Sequence, residues 1–353
     1  MVDSIHKIVL TQISVKNLGC FDDQAYTVDF TEETLLAGPN NSGKSMLLAA
    51  MNLARYFFVT SSLDWNTEFY SLHDFEAAIN AHDQKKAIEI SFTLKELEQT
   101  YVMGLRFNPQ EGYKFTANNE PIHVRDTRYL GLAQKIWCLR PNRSLVPYQA
   151  NVQHTAGPLQ PLNPSGSNVI NYLLERWTDR DKRWSSAESW LRKIDPDMSE
   201  LKTPIRGNQV FLETLFGDTD VNVSLQGSGF QSAAAIISAV VFSPKGSTVI
   251  IEEPEAFLHP KCQEVIVDMI NDAVNNQNKQ VIFSTHSCNI LLPIWHDIGQ
   301  PSHRRSEEHI PTDPKKFSMW VFEKISGKVS IRPYPIHEKT WKNFSEDFKI
   351  IWG

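Results

Sequence analysis

Apolar and polar positions follow two rhythms along this chain, and the changes of rhythm mark its elements. Near the start, Ile8-Val-Leu-Thr-Gln-Ile-Ser-Val15 is rich in β-branched residues and predicts a strand. Lys16 to Gly19 has turn character, and Ala25 to Phe30 predicts a second strand. Leu35-Leu36-Ala37 is a short apolar run feeding a glycine loop, and the strong helix formers of Ser45 to Phe58 predict a helix behind it. Ala87 to Thr93 alternates like a half-buried strand, whereas residues 105 to 165, rich in Pro, Asn and Gly, carry no clear rhythm. Helices are expected over Ser167 to Trp177 and Ser185 to Ile194. A strand over Val221 to Leu225, a second glycine turn and a very apolar helix from Gln231 to Val241 follow. Thr248-Val-Ile-Ile251 and Val281-Ile-Phe283 read as parallel strands buried on both faces. Pro260 suits the first position of a helix. Met319 to Phe322 and Val329 to Arg332 predict a closing hairpin across Ser326-Gly327. Short buried strands alternating with helices, without repeats or heptads, argue for an α/β core.

Composition narrows the class without naming a chemistry. The 353 residues suffice for one large domain or two ordinary ones, and 41% hydrophobic with 22% charged residues is the balance of a folded globular protein. No apolar run approaches the roughly 18 residues of a membrane span. The first residues lack the pattern of a signal peptide. Cys20, Cys138, Cys262 and Cys288 are scattered without metal spacing, so they read as reduced thiols of a cytoplasmic protein. A net charge of −6 excludes a nucleic-acid-binding field over the whole surface but leaves room for a local basic patch.

Candidate chemistry begins at Gly38-Pro39-Asn40-Asn41-Ser42-Gly43-Lys44-Ser45, which matches G-x-x-x-x-G-K-[ST] between a predicted strand and a predicted helix. Successive backbone N–H groups form an anion nest, and the following helix points its positive end at the phosphates of ATP. Lys44 adds a point charge, and the Ser45 hydroxyl suits Mg²⁺. Asn41 and Gly43 occupy the tight part of the turn, where left-handed geometry is needed.

Three further segments are each weak alone. Thr248 to Ile251 runs into Glu252-Glu253-Pro254-Glu255. A buried strand ending in paired carboxylates fits metal-assisted phosphoryl chemistry, and equally a strand that simply surfaces into a charged loop. Leu225-Gln-Gly227-Ser228-Gly229-Phe230-Gln231, ahead of the apolar helix, leaves amides and a hydroxyl for an anion, or is an ordinary glycine turn. His286, after a buried strand, is placed to sense a γ-phosphate or is a hydrogen-bonded structural histidine.

The order of the four segments is what gives them weight. Loop, glycine turn, paired glutamates and histidine in this sequence resemble the ATP-binding-cassette ATPases, in particular the soluble heads of the RecF, SMC and OLD type. Glu252 to Pro260 resembles the Walker B and D-loop of the stand-alone, OLD-like branch. Ile13 to Phe21 resembles that branch's opening strand, and Gly166 to Leu173 its lid segment. The resemblance implies an ABC-ATPase head with a mixed β-sheet core, an N-terminal antiparallel β lobe and a helical lid. It further implies a β lobe with the phosphate loop over residues 1–135, a lid insert over 136–220, and a lobe over 221–353 carrying signature, Walker B, D-loop, switch histidine and hairpin.

By the same resemblance Glu252 supports Mg²⁺ together with Ser45, Glu253 is the general base and His286 the γ-phosphate sensor. Ser228, Gly229 and Gln231 act on the nucleotide of a second subunit in a homodimer or higher oligomer. There are departures. Glu252 stands where many members have Asp, and the signature reads Gly-Ser-Gly-Phe-Gln, which argues against a transporter. Gln134 or Gln149 is the candidate Q-loop glutamine, and Arg140 or Arg143 an alternative contact to the nucleotide.

The output follows from resemblance alone. The stretch between the first helix and the signature is proline-rich and lacks heptads, so long arms are not expected. No D-x-D pair follows His286, where OLD-type nucleases carry a Toprim domain, so the chain is expected to lack its own nuclease. An ATP-hydrolysing dimer controlling a separate nuclease or toxin in bacterial antiphage defence is the leading expectation. The alternatives are a nucleotide-gated scaffold with little turnover and a RecF-type repair ATPase. For DNA, the candidate surface is Arg176, Arg180, Lys182, Arg183, Arg192 and Lys193, interleaved with Trp177, Trp184 and Trp190; a solvated helical face with inward tryptophans is the favoured reading of it.

Overall fold

In the computed structural model the described residues are 7–60, 78–80, 83, 85–121, 135–141, 143, 149–151, 165–299 and 309–336, without the side chains of 54–60 and 149–151. The chain opens with strands β1 (Ile8–Lys16), β2 (Tyr26–Asp29) and β3 (Glu33–Ala37), then helix α1 (Lys44–Thr60). Strands β4 (Ile88–Glu96), β5 (Gln99–Asn108), β6 (Gly112–Ala117), β7 (Glu120–Pro121), β8 (Ile136–Leu139) and β9 (Gln149–Asn151) follow. Helices α2 (Val169–Thr178) and α3 (Trp184–Ile194) precede five short strands: β10 (Met198–Lys202), β11 (Ile205–Arg206), β12 (Gln209–Phe211), β13 (Glu213–Phe216) and β14 (Thr219–Asn222). Then come α4 (Ser228–Phe242), β15 (Thr248–Glu252), α5 (Pro260–Asn275), β16 (Gln280–Thr285), α6 (Cys288–Gly299), β17 (Phe317–Ile325) and β18 (Lys328–Tyr334).

Two six-stranded sheets organise these elements. One is antiparallel throughout, in the order β2-β1-β4-β5-β6-β7, and its alternating burial matches strands with one face on a core. The other, β18-β17-β3-β16-β15-β8, is mixed: β17, β3, β16, β15 and β8 run parallel, and β18 returns antiparallel across the predicted hairpin. β3, β15, β16 and β8 are buried at every position, as expected of a parallel sheet covered on both faces. One apolar cluster packs α2 to α6 against this sheet; a second joins its opposite face to α1 and the antiparallel sheet. Of the described helices, none is long and apolar enough to cross a membrane. The expected α/β architecture, with a mixed core sheet, an antiparallel sheet and several helices, is the one observed.

Two details differ from the sequence reading. The segment Val221 to Leu225 is not one strand. β14 ends at Asn222, whose side chain accepts from the Ser224 N–H, and a 3-10 turn (Val223–Leu225) follows. That asparagine-headed turn stops the ladder before the signature. The lid is also less helical than expected, since β10-β13-β14 and β11-β12-β9 form two small sheets beside α2 and α3.

Glu33, the first residue of β3, gives the fold a pH dependence. Its side chain is fully buried, its Oε1 lacks a hydrogen-bond partner among the described residues, and burial with Asp297 and Asp313 nearby pushes its carboxyl up to about 8. The folded chain thus holds a proton that the unfolded chain releases above its ordinary value of 4.5. Stability from this group is full below that value and is lost as pH rises towards about 8. Glu33→Gln should flatten this slope. Melting curves of the two proteins at several pH values should show the variant gaining relative to wild type between about pH 5 and about pH 8; parallel profiles would contradict the assignment.

Candidate functional site

Three parallel strands reach one edge of the core sheet, and each ends in a segment that carries candidate chemistry. β3 runs into the glycine loop, β15 ends on Glu252, and β16 between them ends on Thr285, just before His286. The register sets Ala37 beside Thr285 and Glu252 beside Ser284. With about 4.8 Å between neighbouring strands, the ends of β3 and β15 stand roughly 10 Å apart across β16.

The loop has the backbone of an anion nest. Gly38, Asn41 and Gly43 have positive φ, of 143°, 62° and 107°. A Cβ on Gly38 would overlap the carbonyl oxygen of Phe322 in β17, so the strand-to-loop corner admits only glycine. The Leu47 N–H donates to the Gly43 carbonyl (3.0 Å), so α1 begins inside the loop and presents its positive end there. Lys44 is buried and folds back over the loop, donating to the carbonyls of Gly38 (2.7 Å) and Pro39 (2.8 Å) and to Ser42 Oγ (3.4 Å). Burial pushes its ammonium down, while Glu253, Glu255 and Glu252 push it up. Pro39, Asn40, Asn41 and Ser45 are exposed.

The carboxylate end of β15 is held in an unusual backbone. Glu252 is buried, and at Glu253 the chain turns left-handed with φ 45°, which a glutamate keeps only where its surroundings fix it. The Glu253 N–H donates to the Ser284 carbonyl (3.0 Å) and is 3.4 Å from Ser284 Oγ. His286 Nδ1 lies 3.4 Å from both Glu253 Oε1 and Glu255 Oε1. Glu255, to which the sequence reading gave no role, anchors the histidine segment: its Oε1 accepts from Thr285 Oγ1 (2.7 Å) and from the His286 N–H (2.9 Å). The signal was in the sequence, as a third acidic residue directly beyond the Glu-Glu-Pro corner. A second tie uses Gln263, whose amide donates to the Leu258 carbonyl (2.9 Å) and whose oxygen accepts from Ser287 Oγ (2.8 Å).

Ser228 opens α4, with Gly227 extended before it and no side-chain cap at that end. The opposite end of α4 is loaded with cations. Arg183 Nη1 donates to the carbonyls of Phe242 (2.9 Å), Ser243 (3.1 Å) and Val241 (3.3 Å), and Lys279 Nζ to those of Val240 and Val241. The helix therefore offers its uncapped N-terminus as the anion-accepting end. A Cβ on Gly229 would come 2.8 Å from the Phe257 carbonyl oxygen, so this glycine lets α4 pack against the segment after the glutamates. The Gln231 amide turns back to the Gln226 carbonyl (3.1 Å) within its own loop.

Other sequence expectations divide. Gln134 lies outside the described residues, as does the side chain of Gln149. Arg143 does not project to a nucleotide; it is buried behind the end of β15, where its guanidinium donates to main-chain carbonyls. The basic and aromatic residues of the lid divide: Trp177, Arg180 and Lys182 are exposed, so not every tryptophan packs inward, and the others are engaged internally. Trp184 and Trp190 are buried, Arg183 serves α4, Arg176 meets Asp181 (3.4 Å), Arg192 donates to the Ser199 carbonyl (2.8 Å), and Lys193 lies over the Trp190 ring.

Among the described residues no group of three or more His, Cys, Asp or Glu is arranged to hold a metal by itself. Ser45, exposed in the loop, and Glu252, buried at the end of β15, each carry the kind of oxygen ligand that Mg²⁺ takes.

Comparison with known proteins agrees with this geometry. Residues 9–144 match the family described as AAA ATPase domain, and residues 159–292 the family described as AAA domain, putative AbiEii toxin, Type IV TA system. The chain is 41% identical over 58 residues to Endonuclease GajA of Bacillus cereus (strain HuB5-5), covering 14% of this chain and 8% of that protein. It is 36% identical over 77 residues to the OLD nuclease of Thermus scotoductus, covering 21% and 14%. The matched segments are thus a small part of either relative. In fold the chain is similar to the Smc head domain of Pyrococcus yayanosii, with a TM-score of 0.61 and 9% identity over 97% of this chain and 100% of that one. Taken together, these matches show a chain with the fold of an SMC-type head, two segments similar to AAA ATPase domains and short segments similar to OLD-type nucleases.

Proposed function

We propose that this chain hydrolyses ATP as a pair, each nucleotide held between the loop Gly38 to Ser45 of one copy and Ser228 of the other, and that closure of the pair controls a separate effector. The observation that carries the pairing is an apolar surface beside the signature. Leu225 is 81% exposed and Phe257 59% exposed, flanking the exposed Gly227 and Ser228. Large exposed apolar side chains next to an uncapped helix N-terminus suit a contact between copies that places an anion at that terminus.

In this reading the loop amides and Lys44 bind the phosphates, Lys44 exchanging its contacts to the Gly38 and Pro39 carbonyls for phosphate oxygens. Glu253 takes the proton of the attacking water, and His286, close to its carboxylate, orients it and reads the terminal phosphate. Ser45 and Glu252 are the residues that would hold Mg²⁺, which when bound neutralises phosphate charge. The effector is proposed to be a nuclease or toxin acting in trans in antiphage defence, in a cytoplasmic setting. Its support is the likeness to two proteins named as nucleases and to a family described by a putative toxin.

The pairing is tested by charge on that surface. Leu225→Asp with Phe257→Asp should lower phosphate release steeply at low protein concentration while ATP binding by the single chain is kept. Turnover per chain that does not depend on protein concentration in wild type, and is equal in the variant, would remove the paired site. A wild type without turnover, even with effector and DNA present, would leave a nucleotide-gated scaffold instead.

A further inference from the structure

We infer that Arg143 is a positioning residue that couples the two nucleotide sites of a pair, by tying the signature helix of each copy to the main chain that carries its own general base. The inference rests on the paired-site reading above and adds to it a route between sites.

The route begins where the sheet runs out of partners. β8 pairs with β15 only as far as Leu139 beside Ile251, so the carbonyls of Glu252 and Glu253 lie beyond the ladder on that side. Buried carbonyls need donors. The chain after β8 supplies them with one side chain: Arg143 Nη1 donates to the Glu252 carbonyl (2.8 Å) and Nη2 to the Glu253 carbonyl (2.7 Å). Nη1 also donates to the Arg140 carbonyl (2.6 Å), which fixes the guanidinium to its own loop. The remaining edge, Nε, donates to Ser232 Oγ (2.9 Å) in α4. Arg143 is only 3% exposed and Ser232 is fully buried, so water does not substitute for these bonds. Burial pushes the guanidinium down to about 10 against the opposing pull of Glu255, Glu252 and Glu253, so it remains charged at neutral pH.

Both ends of this link are functional segments. Ser232 is one helical turn beyond Ser228 and on the same face of α4, so a shift of the first turn of α4 is carried to it. At the other end, the guanidinium holds the corner at which Glu253 adopts φ 45°. Only a planar fork with five donors reaches all four acceptors at once; an ammonium has the charge without the geometry. In a pair, Ser228 faces the partner's nucleotide while Glu253 serves its own. Docking of the signature on one site is therefore transmitted to the base of the other, and ATP acts cooperatively.

The test uses full-length protein and two variants, Ser232→Ala and Arg143→Lys, each checked for a wild-type circular dichroism spectrum. Ser232→Ala removes one hydroxyl from a helix and leaves Arg143 on the glutamate carbonyls. The probe is ATP with Mg²⁺, read twice: as a binding isotherm and as phosphate release. Wild type is expected to bind with a Hill coefficient clearly above one, falling to about one in Ser232→Ala with half-saturation shifted less than about threefold. Arg143→Lys should lose the cooperativity and also drop kcat by about tenfold or more, with little change in KM, because the base is misplaced while the loop is intact. A non-cooperative wild-type isotherm, or Ser232→Ala keeping the wild-type Hill coefficient, overturns the coupling. Phosphate release separately decides the reading beneath it: absence of turnover in wild type removes the ATPase reading, while the isotherm still decides whether the two sites are coupled.

Discussion

Replacing Glu253 with Gln should leave ATP binding intact and slow phosphate release by about 10² to 10⁴-fold, the range that a positioned general base contributes. The substitution keeps the size of the side chain and removes its ability to take a proton. The main-chain bonds at the corner with φ 45° do not involve the carboxylate: the N–H donates to the Ser284 carbonyl and the carbonyl accepts from Arg143. The fold and the loop should therefore be unchanged, and ATP should accumulate on the protein. Filter binding with labelled ATP, alongside phosphate release, separates the two effects. Lys44→Ala provides the contrast, losing binding first. Wild-type turnover in Glu253→Gln would mean that another group, with Glu255 or His286 nearest, accepts the proton.

Gly38→Ala should cost both stability and nucleotide binding. Its φ of 143° lies outside what L residues adopt, and the added Cβ would overlap the Phe322 carbonyl oxygen on the neighbouring strand. Backbone strain of this kind costs about 1–3 kcal/mol before any overlap is counted. Relief requires β17 to move away from β3 or the loop to leave its nest, and either change reaches the phosphate site. Gly112→Ala is the matched control: φ is 72°, but no atom of the described residues lies within 4 Å of its added Cβ, so only the conformational cost of about 1–2 kcal/mol remains. Denaturant melts of the two variants should differ clearly, with Gly38→Ala the weaker. Equal melts would show that the corner yields without loss.

These two residues were visible in the sequence for a common reason. A strand buried on both faces carries a run of apolar residues along its middle, and a loop that binds phosphate needs glycine where side chains collide, so local composition carries the signal. The same holds for the closing hairpin at Ser326-Gly327, with φ of 52° and 83° in its turn. What remained hidden depends on long-range or main-chain contacts. Arg143 acts on carbonyls about a hundred residues away, and carbonyls leave no mark in a sequence. Arg183 read as a basic surface residue because the helix end it serves lies far along the chain. The strand expected over Val221 to Leu225 failed at Asn222, whose side chain captures the Ser224 N–H, a local competition that apolar rhythm alone does not register.

The central claim, that each site is built from two copies, is tested most directly by mixing two dead proteins. Lys44→Ala removes the phosphate-binding cation from one half of the site and Ser228→Arg blocks the other half. A mixed pair then contains one site in which both halves are intact. Each variant alone should release no phosphate above background, and mixing them should restore release. A mixture that stays inactive while both variants are folded, or a Ser228→Arg protein that turns over ATP at the wild-type rate, would contradict the composite site.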